Sequence, residues 1–144
     1  MILVSACLAG IKCNWKGEAA PCAKVIALVK NGEAIPVCPE QLGGLTTPRL
    51  PAEQKDGQVI NRNGEYVTKE FKCGAAEVLD IARLYNCKKA ILKARSPSCG
   101  CGEVYDGSFS HKLIPGDGVL TALLKSSGVE VITDEDIEEF VACE

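Results

Sequence analysis

No stretch of this chain is long and apolar enough to cross a bilayer, which argues against a membrane partner. There is no basic excess either. A formal net charge of -3 leaves no electrostatic footprint for duplex nucleic acid. Nucleotide fingerprints are missing, since neither a P-loop nor a Gly-x-Gly-x-x-Gly run follows any expected strand. The single histidine, His111, has no ligand partner nearby and reads as a surface residue. No two cysteines have two to four residues between them, which removes the usual signature of a structural zinc site, and the ferredoxin spacing is absent as well. No repeat, low-complexity tract or linker divides the 144 residues. Residues 1–144 therefore read as one domain with enough chain to bury a core.

What the chain does have is cysteine. Nine thiols in 144 residues fall below the density of a small disulfide scaffold, about 8–10%. The number is odd. Met1 to Cys7 lacks the basic start and separate apolar segment of an export signal. The expectation is a cytoplasmic protein with reduced thiols, some of them ligands or catalysts and the rest small core residues. Cys22, Cys73, Cys87 and Cys143 fall in or beside expected helices and read as the latter.

Apolar runs mark the buried strands: Ile2 to Ala6, Ala34 to Val37 (weakened by Pro36), Lys89 to Lys93 and Val129 to Ile132. Helices are predicted over Pro21 to Lys30, from an N-cap at Thr68 to Tyr85, and over Val119 to Ser126. A short acidic helix capped by Thr133 is predicted to hold Ile137, Phe140 and Val141. Gln41 to Lys55 has no helical period and reads as a long functional loop. Gln58 to Ile60 and Glu65 to Val67, joined through Asn61 to Gly64, read as a small hairpin. This alternation predicts an α/β fold: one three-layer, Rossmann-like domain whose mostly parallel sheet carries helices on both faces, with a small β-hairpin added.

The segment Arg95-Ser-Pro-Ser-Cys-Gly-Cys-Gly102 leaves a buried strand through a sharp turn. Cys7, Cys38 and Cys99 each lie at or just past the carboxyl end of an expected strand. If those strands are parallel neighbours, three thiols distant in sequence meet in one crevice. Cys13 lies one loop away and is able to join them. Cys101 is too tightly spaced from Cys99 to act as a zinc pair. Thiolate softness favours iron–sulfur or zinc over magnesium or calcium. Glu40, two residues past Cys38, suits general acid or base work in such a crevice. Ser96 and Ser98 read either as ligand contacts or as turn-stabilising hydroxyls. Arg49, Arg95 and Asp106 either orient a polar ligand or are solvated charges, and Tyr105-Asp106-Gly107 is a turn signal first.

A set of motifs then stands out: Ser5-Ala6-Cys7-Leu8-Ala9-Gly10, Cys13, Pro36-Val37-Cys38-Pro39-Glu40-Gln41-Leu42-Gly43-Gly44-Leu45, Thr47-Pro48-Arg49, Ser96-Pro97-Ser98-Cys99-Gly100 and Tyr105-Asp106-Gly107. Together they resemble the TudS-like thiouracil desulfidase family, over nearly the whole chain. The resemblance implies a [4Fe-4S] cluster held by Cys7, Cys38 and Cys99 with one iron left open. It implies a small-molecule partner, a thiolated pyrimidine base such as 2-thiouracil, desulfurated without redox change to uracil and hydrogen sulfide. By the same resemblance Glu40 is the catalytic acid/base and Ser98 or Ser96 assists it, with Cys13 either a ligand or a neighbour. Two rival readings compete with it. One is a thiol redox or persulfide-handling enzyme with Cys99 as nucleophile; the other is a non-catalytic zinc or iron–sulfur module.

Overall fold

The structure is a computed structural model and describes residues 1–137. In chain order its elements are β1 (Ile2–Ser5), a 3-10 turn (Ala6–Ala9), α1 (Ala23–Lys30), β2 (Ala34–Val37) and α2 (Pro39–Leu42). There follow β3 (Ala52–Lys55), β4 (Gln58–Asn61), α3 (Thr68–Leu84), β5 (Lys89–Leu92), β6 (Glu103–Tyr105), β7 (Leu113–Pro115), α4 (Val119–Ser126) and β8 (Glu130–Thr133).

The central sheet has the order β2-β1-β5-β8, and every pair in it is parallel. From β1 the chain steps to β2 on one side, then crosses to β5 on the other. Strand order therefore reverses between β1 and β5, the place where open α/β sheets leave a crevice at their carboxyl edge.

The apolar runs serve two cores at once because successive side chains point to opposite faces. Leu3, Ala90, Leu92 and Val131 enter the core formed with Val78 and Leu79 of α3 and Leu120 and Leu124 of α4. Val4, Ile91 and Ile132 enter the opposite core with Val25, Leu28 and Val29 of α1. Helices thus cover both faces, as expected. Pro36 is accommodated because β2 is an edge strand of this sheet.

Several local expectations are corrected. A hairpin is present, but it pairs β3 with β4 around Asp56-Gly57, not Gln58–Ile60 with Glu65–Val67. Both turn residues have positive φ, 52° at Asp56 and 78° at Gly57, which fits the two-residue turn matching strand twist. The segment from Glu65 returns only as a single bridge between Ile60 and Tyr66. Gln41 to Lys55 is therefore not irregular throughout: it begins inside α2 and ends in β3. Pro39 starts α2 at a first-turn position, where its missing N–H costs nothing. β6 and β7 form an unexpected second ribbon. Thr68 is the first helical residue of α3, not its cap; its hydroxyl serves Val59 and Gln58 of the hairpin. The final helix, with Phe140, Val141 and Cys143, lies outside the described residues; Ile137 is described and is buried in the α1-side core.

Candidate active site

A cavity of about 410 Å³ opens at the carboxyl edge of the sheet, at the switch between β1 and β5. Cys7 reaches it from the 3-10 turn after β1, Cys38 from the residue joining β2 to α2, and Cys99 from the loop after β5. The convergence expected from strand order is what the fold produces. The walls are tied together. Ser5 Oγ accepts from the Lys93 N–H at 2.9 Å, joining the ends of β1 and β5. The loop after β5 has its carbonyls occupied: Pro97 O by Gln54 Nε2 (3.0 Å), Ser98 O by the Leu120 N–H of α4 (2.9 Å) and Cys99 O by Thr121 Oγ1 (2.8 Å). A loop so held presents its side chains in fixed positions.

Glu40 sits on the first turn of α2, and its two oxygens have separate partners. Oε1 accepts from Arg49 Nε at 2.9 Å, and Oε2 accepts from Ser98 Oγ at 2.8 Å. Ser98 Oγ also lies 3.6 Å from Cys99 Sγ, so one hydroxyl touches both the carboxylate and a thiol. Ser96 stands behind it. Its Oγ accepts from the backbone N–H groups of Ser98 (3.2 Å) and Cys99 (3.1 Å) and lies 3.0 Å from Ser98 Oγ. Of the two serines, Ser98 is the one on the carboxylate.

The thiols differ in character. Complete burial pushes Cys99 up to about 12, against the pull of hydrogen bonds from Ser5 and Ser98. Burial pushes Cys7 up to about 11, opposed by the charge of Lys93. Cys38 is brought down to about 6, chiefly by the hydrogen bond from the Cys13 thiol, with help from the Gln41 backbone and Arg49. The same bond and burial push Cys13 up. Burial thus favours the protonated thiol at Cys99 in the metal-free protein.

These residues have the donor chemistry of a soft-metal site such as an iron–sulfur cluster. The donors are soft thiols delivered from three separate strand ends. Among the described residues no three His, Cys, Asp or Glu side chains are grouped closely enough to hold one ion.

The remaining expected residues divide. Arg49 lines the cavity with its side chain only 7% exposed. Arg95 lines it too, although its guanidinium pairs at 2.8 Å with Glu135 through both terminal nitrogens. Asp106 serves the turn alone, accepting from the Ser108 N–H at 2.9 Å. His111 is exposed as expected, yet it stands at the cavity rim edge-on to Tyr105, 6.3 Å between ring centres. Cys101 turns away, toward the Val131 carbonyl at 3.7 Å. Lys93, Arg62 and Phe109 are wall residues that the sequence reading passed over. Lys93 had a signal, as the first charge after the apolar run of β5. Arg62 stacks over Phe109 at 5.7 Å only because the hairpin and the second ribbon meet, and no local pattern announces that.

The model of the 2-thiouracil desulfurase family matches residues 2–136. A curated relative, the uncharacterized protein YbbK of Bacillus subtilis (strain 168), is 42% identical over 151 residues, covering 98% of this chain and 100% of the relative. A solved structure of a [4Fe-4S]-dependent thiouracil desulfidase, TudS (DUF523Vcz), superposes with a TM-score of 0.93 at 38% identity, over 99% of this chain and 95% of that one. With fold and sequence in agreement, the chain belongs to the 2-thiouracil desulfurase family.

Proposed function

We propose that this protein removes sulfur from a thiolated pyrimidine such as 2-thiouracil, exchanging C=S for C=O with one water consumed and hydrogen sulfide released. The observation that carries the reading is the Ser98–Glu40 contact at 2.8 Å beside the buried thiol of Cys99. An acid/base group and a soft-metal donor set face the same cavity.

Cys7, Cys38 and Cys99 would hold a [4Fe-4S] cluster. Such a cluster with three protein thiolates supplies one open iron, a Lewis acid with affinity for sulfur. The other steps belong to the chain. Glu40 takes the proton of the attacking water and returns it to the departing sulfur. Ser98 holds the carboxylate in place by donating its hydroxyl proton to it, which leaves the Ser98 oxygen to accept from an N–H of the base. Ser96 fixes Ser98 from behind. Cys13 acts as the hydrogen-bonding neighbour of Cys38 rather than as a ligand. No electron is transferred, because carbon keeps its oxidation state.

Anaerobic reconstitution followed by iron, acid-labile sulfide and product analysis tests this. Wild-type protein is expected to bind iron and sulfide in equal amounts and to release hydrogen sulfide and uracil from 2-thiouracil. Glu40→Gln should keep the cluster and lose turnover, while Cys99→Ala should lose both. Undiminished turnover in Glu40→Gln removes the acid/base role, and reconstituted protein without iron removes the cluster.

A further inference from the structure

Arg49 touches more of the site's framework than any other side chain in it. Its Nε meets Glu40 Oε1 at 2.9 Å and its Nη2 meets the Cys13 carbonyl at 2.9 Å. Its Nη1 meets Thr47 Oγ1 at 3.0 Å and the Thr46 carbonyl at 3.2 Å. Its own backbone N–H donates to the Trp15 carbonyl at 2.8 Å, so side chain and main chain pin the same loop. The Cys13 carbonyl it holds lies 3.7 Å from Cys38 Sγ. One planar guanidinium thus joins α2, the 46–47 loop and the loop after the 3-10 turn.

Behind the Glu40–Arg49 pair lies a second cavity of about 240 Å³, walled by both residues and by Leu45, Leu50, Val67 and Phe71. A glutamate side chain can turn about its inner torsions as well as about a soft terminal one. Space on its far side gives Glu40 somewhere to turn. Among the described residues its carboxylate has one other hydrogen bond, the one to Ser98, and a hydroxyl can follow a moving partner. We propose that Arg49 is a positioning residue: it clamps Glu40 Oε1 so that Oε2 stays aimed at Ser98 and the reacting base, and does not swing into the rear cavity. This rests on the desulfidase reading for its turnover arm alone.

Lysine keeps a charge but not the fork, since one ammonium cannot reproduce the four contacts of a planar guanidinium. Misplacement by about 1 Å is enough to lower turnover on the order of 10²-fold. The test compares reconstituted wild-type, Arg49→Lys and Arg49→Ala proteins for iron content, kcat and KM with 2-thiouracil, and rescue by free guanidinium. Expected are unchanged iron, a KM within about threefold, a kcat lowered about 10²-fold in both variants, and recovery of the alanine variant by guanidinium. Iron lost in step with kcat, a raised KM at unchanged kcat, or full activity in the alanine variant overturns the proposal. A crystal structure of Arg49→Ala, or of Arg49→Lys if the former does not fold, reads the same question without turnover. A Glu40–Ser98 bond kept in place there overturns the clamp, and its loss supports it. Wild-type protein that binds iron but releases no sulfide defeats the desulfidase reading and leaves this structural arm to decide.

Discussion

Ser98 is where the Glu40 carboxylate meets the thiol side of the cavity. It is 2% exposed, donates to Glu40 at 2.8 Å and lies 3.6 Å from Cys99 Sγ. Ser98→Ala removes the hydroxyl without opening a large hole. Turnover is expected to fall about 10²-fold with iron content unchanged, read as sulfide release per iron; equal turnover contradicts its assignment. A second residue-scale prediction concerns the metal-free protein. A thiol lowered to about 6 is a thiolate above that pH and is protonated as pH falls through it, so Cys38 should alkylate with a midpoint near there. Cys7 and Cys99, raised to about 11 and about 12, should stay protected at neutral pH. Site-resolved mass spectrometry across pH 5 to 9 checks this, and simultaneous labelling of all three would contradict it. Glu40 was legible in the sequence because it follows Cys38 by two residues. Arg49's role as its clamp was not, because an arginine in a glycine- and proline-rich loop carries no mark of its partner.

At the scale of elements, the decisive contact is that of α2 on α3. A Cβ on Gly74 would collide with the Pro39 carbonyl oxygen, and one on Gly43 with the Glu70 carbonyl oxygen. Only glycine lets the two backbones approach so closely, and that approach places Glu40 over the cavity. Alanine for glycine inside a helix ordinarily gains about 0.5–1 kcal/mol. At Gly74 the overlap is with backbone rather than a flexible side-chain tip, so forced displacement costing about 1–3 kcal/mol should win. Urea denaturation of Gly74→Ala is expected to show net destabilisation, accompanied by lower turnover as α2 shifts. A stabilised variant would show that α2 can yield. The 17-residue α3 was legible from its apolar spacing, and α4 from the turn residues before it and the glycine after it. α2 was not, since four residues are too few to display a helical period. β3 was missed because Ala52–Lys55 has no apolar alternation of its own, although Asp56-Gly57 is a readable signal of the two-residue turn that pairs it with β4.

For the whole molecule, two apolar cores flank the sheet, while the thiol cavity sits at one edge of it. Most of the buried apolar surface is therefore independent of any metal. Metal-free protein is expected to keep its far-UV circular dichroism and to melt at a lower temperature than reconstituted protein, since a group bound only by the native state stabilises it by mass action. A coil-like spectrum on iron removal would show instead that the cysteines hold the fold together. Cys7 and Cys99 also sit inside the cores, one on each side. Replacing either should therefore cost some stability even without metal, measurable as a lower melting temperature of the apo variant.

The amino-acid sequence by itself determined the alternating architecture and set Cys7, Cys38 and Cys99 at the carboxyl ends of strands; that β2, β1 and β5 are neighbours, and so bring them to one cavity, is decided by the sheet. Strands buried on both faces must be continuous apolar runs, and parallel strands bring their carboxyl ends to one edge. Only the tertiary structure decided which polar groups touch. Arg49 and Glu40 are 9 residues apart and Ser98 and Glu40 are 58, and their pairing depends on how loops and α2 pack. Hydrogen bonds between loops follow no period, so the chain's local pattern holds no record of them. The cavity's donor set was written in the order of the strands; its acid/base geometry was set by packing.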